Sequence, residues 1–236
     1  VRSGVEVSEP DWKSIEVAGV STRTVEPLTR WQVAFDGDGA GFELEFSALS
    51  EPLAFGAGEA GDGPGSGMEG YEQLCRVEGH ATVGDERLEI DCLGQRGHSW
   101  GSTDWRALER VSTVAAWLDD DRAIALESFR PQGSKGHDAD VVRAFLVEED
   151  LESEGRTATA VAEPRLSTTY DDEGHQRRAG LELWLDEESE LPRRAAGEAL
   201  CGTSLEVGAL QLDCAFFAWT MEGHAGVGPY EVLRRR

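Results

Sequence analysis

The sequence predicts an all-β fold: an antiparallel barrel of about eight or nine strands, preceded by an extra β segment. Three observations carry this. Short apolar runs separated by turn clusters recur almost from end to end. Two runs, 111–118 and 210–221, are apolar on both faces. In the second, Leu210, Leu212, Cys214 and Phe216 alternate with Ala215, Phe217, Trp219 and Met221. Such a strand is covered on both sides, in a barrel by the interior and by something packed outside. Finally, 39% apolar residues, with seven Trp and eight Phe, suffice for a core despite a formal net charge of −24.

In chain order, Trp31–Phe35 and Phe42–Ser47 flank the turn DGDGAG and read as a hairpin. Residues 1–55 form the extra β segment, a partial first barrel. Residues 56–69, GAGEAGDGPGSGME, are Gly-rich without periodicity and read as a linker. The main barrel is expected over 70–236. Its strands are Tyr71–Gly79 and Arg87–Leu93 around VGDE, Arg110–Leu118 and Ala123–Phe129 around DDDR, then Val141–Glu148. Arg165–Tyr170 and Gly180–Asp186 follow around DDEGHQ, then Ala199–Val207 and Gln211–Met221. The segment LDEESELPRR (185–194) reads as a short helix or a long polar loop.

Composition excludes several classes of function. Acidic residues outnumber basic ones 46 to 22, so no basic face is available to displace counterions from nucleic acid. Attachment to an anionic membrane surface is disfavoured for the same reason. No apolar run reaches the length of a spanning helix, and a soluble cytoplasmic protein is expected. No Gly-rich phosphate loop leads from a strand into a helix, so no nucleotide cofactor is expected. No nucleophile elbow is expected, HExxH and CxxC are absent, and His80, His137, His175 and His224 have no ligand spacing to His98, so no metal is expected.

Cys75 and Cys92 are equidistant from Val83-Gly84, and Cys201 and Cys214 from Val207-Gly208. With Val-Gly at each hairpin apex, both pairs face each other across strands. They are then either small core residues or, in an oxidising setting, cross-strand disulfides.

The segment 94–105, GQRGHSWGSTDW, concentrates chemistry. Leu88, Ile90 and Cys92 mark the apolar face of the preceding strand. If the strand continues, Gly94, Arg96, His98 and Trp100 share that inward face. The same apex sets Gln73 opposite Gly94 and Tyr71 opposite Arg96. A buried Arg or His needs a hydrogen-bonding partner or a use. His98 is therefore either a satisfied histidine at the barrel mouth, with both Trp in the core, or a proton donor or acceptor.

These residues resemble a known family. YEQLCRVEGHATVGDERLEIDCLGQRGHSWGSTDW is similar to the second, C-terminal half of the lipocalin-like carotenoid 1,2-hydratase (hydroxyneurosporene synthase) and AttH-type superfamily, where a string close to R-D-H-S-W-G precedes a D-W pair. The closing MEGHAGVGPYEVLRRR resembles that family's Gly-rich end. The resemblance implies tandem lipocalin-like barrels and an apolar, isoprenoid-type ligand. It assigns acid-promoted addition of water to a C=C bond to His98 and Trp100, with Glu127 the nearest matching carboxylate. Gly97 stands where the motif has Asp, and Glu127 lacks the tyrosine partner of the hydratases, since 123–129 reads AIALESF.

Three functions follow as expectations. The first is a hydratase- or cyclase-type enzyme acting on an apolar substrate. In it His98 is the donor or relay, Trp100 stabilises developing positive charge, Glu127 assists, and Tyr71, Arg96, Asp104 and Trp105 bind substrate. The second is a non-catalytic binder of apolar small molecules. The third is a subunit of a homo- or hetero-oligomeric barrel pair joined through apolar outer faces.

Overall fold

The computed structural model describes residues 13–55, 68–119, 122–134, 136, 139–150, 155–186 and 188–235. Among these residues there are sixteen strands and no helix. The first seven are β1 (Ser14–Val17), β2 (Val20–Glu26), β3 (Arg30–Gly37), β4 (Ala40–Ala48), β5 (Leu53–Phe55), β6 (Met68–Val83) and β7 (Glu86–Gly101). They form one sheet in the order β1-β2-β3-β4-β6-β5, with β7 also pairing with β6.

The remaining nine begin with β8 (Leu108–Leu118), β9 (Arg122–Pro131), β10 (Val141–Asp150), β11 (Gly155–Ala160) and β12 (Glu163–Tyr170). They end with β13 (Gln176–Trp184), β14 (Arg193–Val207), β15 (Leu210–Met221) and β16 (His224–Arg235). Their sheet runs β11-β10-β9-β8-β16-β15-β14-β13-β12, antiparallel at every pairing. This is the expected all-β architecture, an antiparallel lipocalin-like β-barrel fold.

The chain folds as two compact units, Val1–Pro52 with Gln73–Arg96, and Leu53–Glu72 with Gly97–Arg236. The first has a small core of Trp31, Cys75 and Val77, against which Leu44, Phe46 and Ile90 pack. The second holds the whole nine-stranded sheet. Period-2 patterning fills its concave side: Val114, Ala116 and Leu118 of β8, Ile124 and Leu126 of β9, Leu181 and Leu183 of β13, Phe217 and Trp219 of β15, and Tyr230 of β16 are all nearly inaccessible. The barrel interior is therefore packed with side chains, as small barrels are.

The curl closes where the two ends of the sheet meet. Val161 N–H donates to Ala144 O at 2.9 Å, and Ala162 N–H donates to Trp184 O at 2.9 Å. β16 runs through the centre of the sheet, between β8 and β15. Gly226 and Gly228 let it approach β8 closely, since a Cβ on either would collide with the carbonyl of Trp117 or Ala115.

Several expectations need correction. β16 and β11 belong to the nine-stranded sheet, whereas β6 and β7, which carry the HSWG segment, pair within the other sheet. Of the two readings of 185–194, the loop is the one found: its described residues contain no helix and connect β13 to β14, which starts at Arg193. The Gly-rich stretch 56–69 lies outside the described residues, apart from Met68 and Glu69 at the start of β6. The hairpin apices sit one residue later than Val-Gly. Gly84-Asp85 and Gly208-Ala209 are the two-residue turns, with Gly84 φ at 58° and Gly208 φ at 62°. A Gly in the first central position is the signature of a type II′ hairpin turn. Cys201 consequently pairs with Phe216, and Cys214 with Thr203. No disulfide joins any of the four cysteines.

Candidate functional site

The HSWG segment occupies the last residues of β7, and the neighbouring residues of β6 complete the base of the hairpin. His98, Tyr71 and Trp100 form one ring cluster. The His98 and Trp100 centroids are 5.4 Å apart, Tyr71 and His98 6.0 Å, and Tyr71 and Trp100 6.4 Å. The Trp100 indole N–H donates to Glu69 Oε2 at 2.9 Å, fixing the ring, which nonetheless stays 46% exposed. The cluster thus presents a held, half-open aromatic surface rather than a dry barrel interior.

Register explains this company. Because the turn is centred on Gly84-Asp85, Tyr71 stands by His98 and not by Arg96. Arg96 lies over the Trp31 ring at 4.3 Å, in the first compact unit. Gln73 donates from Nε2 to Leu28 O at 3.0 Å and to Ser50 O at 2.8 Å. Asp104 accepts the Arg106 N–H at 2.9 Å in a turn after β7, where Trp105 is 39% exposed.

A second group lies on the other face of the hairpin, because Glu72 and Gly97 immediately adjoin Tyr71 and His98 on their strands and consecutive side chains alternate. A Cβ on Gly97 would fall 2.5 Å from Glu72 Oε1. Glu72 therefore supplies a carboxylate just where Gly97 lacks one. Glu127 is half-buried on the outer wall of the nine-stranded sheet, between Thr113 of β8 and Arg143 of β10. Its neighbours along β9 are apolar: Ala123 and Ala125 are buried, as is Ala115 of β8. Phe55 of β5 packs edge-on against Phe145 of β10 with centroids 5.1 Å apart, so the chain's own β5 covers this wall. Burial first, and the Glu72 charge second, push the Glu127 carboxyl up to about 7, with Arg143 opposing.

Sequence reasoning singles out His98, Trp100, Tyr71 and Glu127 as candidates, and does not single out Glu72 or Arg143. The structure groups His98 with Trp100 and Tyr71, and couples Glu127 to Glu72 and Arg143; the two groups face apart. The only signal for Glu72 is Gly97 itself, and it becomes readable once the hairpin is centred on Gly84-Asp85.

The concave side also carries an unforeseen polar end. Arg130 makes a bidentate contact to Asp140, from Nε at 2.6 Å and Nη2 at 2.7 Å. Arg110 donates to the Tyr170 hydroxyl at 3.0 Å, and Thr168 Oγ1 lies 2.6 Å from the Tyr230 hydroxyl. Burial holds the Tyr230 phenol well above its ordinary pKa, so it stays neutral.

A family model spanning residues 5–236, described as a domain of unknown function (DUF7064), matches nearly the whole chain. The chain belongs to the DUF7064 family. No curated protein matches it in sequence. Among solved structures this DUF7064 member is similar to a protein assigned as AttH (NE1406) from Nitrosomonas europaea. The identity is 15% and the TM-score 0.69, over 98% of this chain and 74% of that one. It is also similar to kievitone hydratase from Nectria haematococca, at 12% identity and a TM-score of 0.60, over 93% of this chain and 70% of that one. The chain thus shares a fold with an AttH-type protein and a hydratase. Among the described residues, no helix is long and apolar enough to cross a membrane.

Proposed function

We propose that this protein is an acid/base enzyme of hydratase or isomerase type, acting on an apolar, isoprenoid-like alkene, with Glu127 as proton donor. The carrying observation is a half-buried carboxyl on an apolar wall, its pKa raised to about 7 beside a second carboxylate. A general acid works best with a pKa near the operating pH, and this carboxyl still holds a proton where an ordinary one has lost it. Protonating an alkene leaves a carbocation, which Glu72 and the ionised form of Glu127 would stabilise electrostatically. The fold shared with kievitone hydratase supports the reaction class. His98 keeps a role as a relay or binding residue of the ring cluster, where Trp100 and Tyr71 offer π faces to the substrate.

The test is incubation of the purified chain with farnesol in D2O, followed by mass spectrometry. Deuterium on carbon, or a hydrated product, that disappears in Glu127→Gln supports the reading. Equal incorporation in Glu127→Gln removes Glu127 as donor; loss in His98→Ala alone transfers the role to His98. A second reading, a non-catalytic binder of apolar molecules, is favoured by the exposed indole of Trp100. Quenching of Trp fluorescence by farnesol without any deuterium incorporation supports that reading instead.

A further inference from the structure

We propose that the polar end of the nine-stranded barrel is a binding site for the carboxylate of a small organic acid, with Arg110 as its anchor. Three arginines stand side by side there on adjacent strands: Arg110 of β8 is opposite Arg130 of β9 on one side and Arg234 of β16 on the other. All three continue the face that Val114, Leu126 and Val232 turn to the barrel interior. Like charges directly opposite one another destabilise a sheet, so such a row needs anions. The two flanking arginines have them. Arg130 holds Asp140 through Nε at 2.6 Å and Nη2 at 2.7 Å, and Arg234 Nη2 lies 2.8 Å from Asp213 Oδ2. Both carboxylates are nearly inaccessible, and Asp213 Oδ1 also accepts from Ser204 Oγ and the Gln211 amide. Arg110, in the centre and largely buried, is served less well. Its Nη2 is 3.5 Å from Asp140 Oδ2, longer than a charge-assisted bond, and its Nη1 donates to the neutral Tyr170 hydroxyl at 3.0 Å. Three guanidiniums against two contacting carboxylates leave one positive charge; Glu109 adds only a weaker field at Arg130, after Asp140.

A cavity of about 710 Å³ reaches this row, with Asp140, Val142, Pro164 and Leu166 in its lining. It lies at the seam between β10 and β12, which share no ladder; the curl closes further along, where Val161 N–H meets Ala144 O. The seam is therefore the way in, and the Asp140 carboxylate, which contacts both Arg110 and Arg130, is part of the wall. Val142 and Leu166 pack on the barrel core and offer an apolar surface to the organic body of a ligand. The other carboxylates of the lining are matched by arginines, Glu163 by Arg165 and Glu182 by Arg194 at 3.1 Å. Two residues beyond Arg110 on the same strand face, Ser112 is fully buried and its Oγ has no hydrogen-bond partner among the described residues. A buried hydroxyl left unmade in this way costs free energy, and it marks this end of the barrel as polar beyond what the protein itself satisfies. The planar fork of Arg110 and the surplus of a single charge suit a carboxylate, whereas a phosphate brings close to two negative charges. Glu127 alternates to the outer face of β9, so this interior site is independent of the reading given to that residue.

The experiment titrates the purified chain with octanoate, octanol and octyl phosphate by isothermal titration calorimetry, and follows the Val and Leu methyl signals by NMR. Octanoate should bind at least about tenfold more tightly than either of the other two, and should shift the methyls of Val142 and Leu166. Arg110→Gln should lose at least about tenfold in octanoate affinity while its weak octanol binding stays unchanged. Arg178→Gln, which removes an exposed arginine, should bind octanoate as wild type does. Circular dichroism checks that each variant folds; should Arg110→Gln not fold, Arg110→Lys keeps the charge, loses the fork, and carries the same expectation. Octanoate binding that is no tighter than octanol binding, that survives undiminished in the Arg110 variant, or that shifts methyls elsewhere and not those of Val142 and Leu166 overturns the proposal. Octyl phosphate bound as tightly as octanoate overturns the assignment of a carboxylate.

Discussion

A carboxyl whose pKa is raised by folding weakens the fold at high pH, which gives Glu127→Gln a stability signature independent of any substrate. Below the ordinary value of 4.5, Glu127 is protonated in both folded and unfolded chains and contributes no difference. Between 4.5 and about 7 the folded chain keeps a proton that the unfolded chain releases, so stability falls as pH rises. Above about 7 both states are ionised and the full cost remains. At about 1.4 kcal/mol per pH unit, the loss between pH 5 and pH 8 comes to about 2–3 kcal/mol. Gln keeps the shape and cannot ionise. Urea denaturation of wild type and variant at both pH values isolates the effect, because titrating groups that do not interact with Glu127 cancel in the comparison. The expected outcome is a variant that gains about 2–3 kcal/mol on wild type between pH 5 and pH 8. A stability difference that is the same at both values would refute the raised pKa. A gain would also fit the general cost of functional groups held in unfavourable surroundings.

Other perturbations test the fold around the site. Gly228→Ala drives a Cβ into the Ala115 carbonyl, and should cost about 3 kcal/mol or more by forcing β16 from β8, read as a lower thermal midpoint. Leu183→Ala empties a fully buried position in the barrel core, and should cost about 2–5 kcal/mol in the same denaturation assay. Asp140→Ala leaves Arg130 without its bidentate partner in a largely buried setting, and should cost about 3–5 kcal/mol. Thiol labelling of the native protein should modify exposed Cys201 quickly, Cys92 more slowly because burial pushes its thiol pKa up, and buried Cys75 only on unfolding, with all four reactive in denaturant without reductant. At neutral pH Cys214 should also lag, because burial pushes its thiol up to about 11.

The hairpins around Asp38-Gly39, Gly84-Asp85 and Gly208-Ala209 are readable because each joins an apolar-rich run to its partner through a Gly-containing turn. β16 is harder to read. Its residues HAGVGPYEVL combine two glycines and a proline, which normally argue against a central strand, and only the crowding against Trp117 and Ala115 shows why glycine belongs there. Sheet membership is harder still. Alternation reveals which side chains share a face but not which strand lies alongside, so β6 and β7 read as the opening of the barrel. Among the chemical residues, the aromatic and histidine content of 98–105 stands out in one dimension, whereas Glu72 looks like any solvated strand carboxylate. Only the hairpin register gives it meaning. An apex misplaced by one residue moves each cross-strand partner by two, which keeps the faces and changes the neighbours.

The two-faced apolar strands show how the burial of ionisable groups follows from packing. Their inner faces are used up: Phe217, Trp219, Leu118 and Tyr230 fill the barrel. Their outer faces part company. Near β8, β9 and β10 the chain's own β5 covers the wall through Phe55 on Phe145, and Ala115, Ala123 and Ala125 are nearly inaccessible. On β15, Phe216 remains 45% exposed, meeting Trp117 edge-on at 6.4 Å. Of these two outer surfaces, the covered wall is the one that combines low solvent access with ionisable groups, and there a carboxyl is desolvated enough to hold a proton near neutrality. A barrel whose interior is full thus leaves its covered outer wall as the place where an ionisable group loses water.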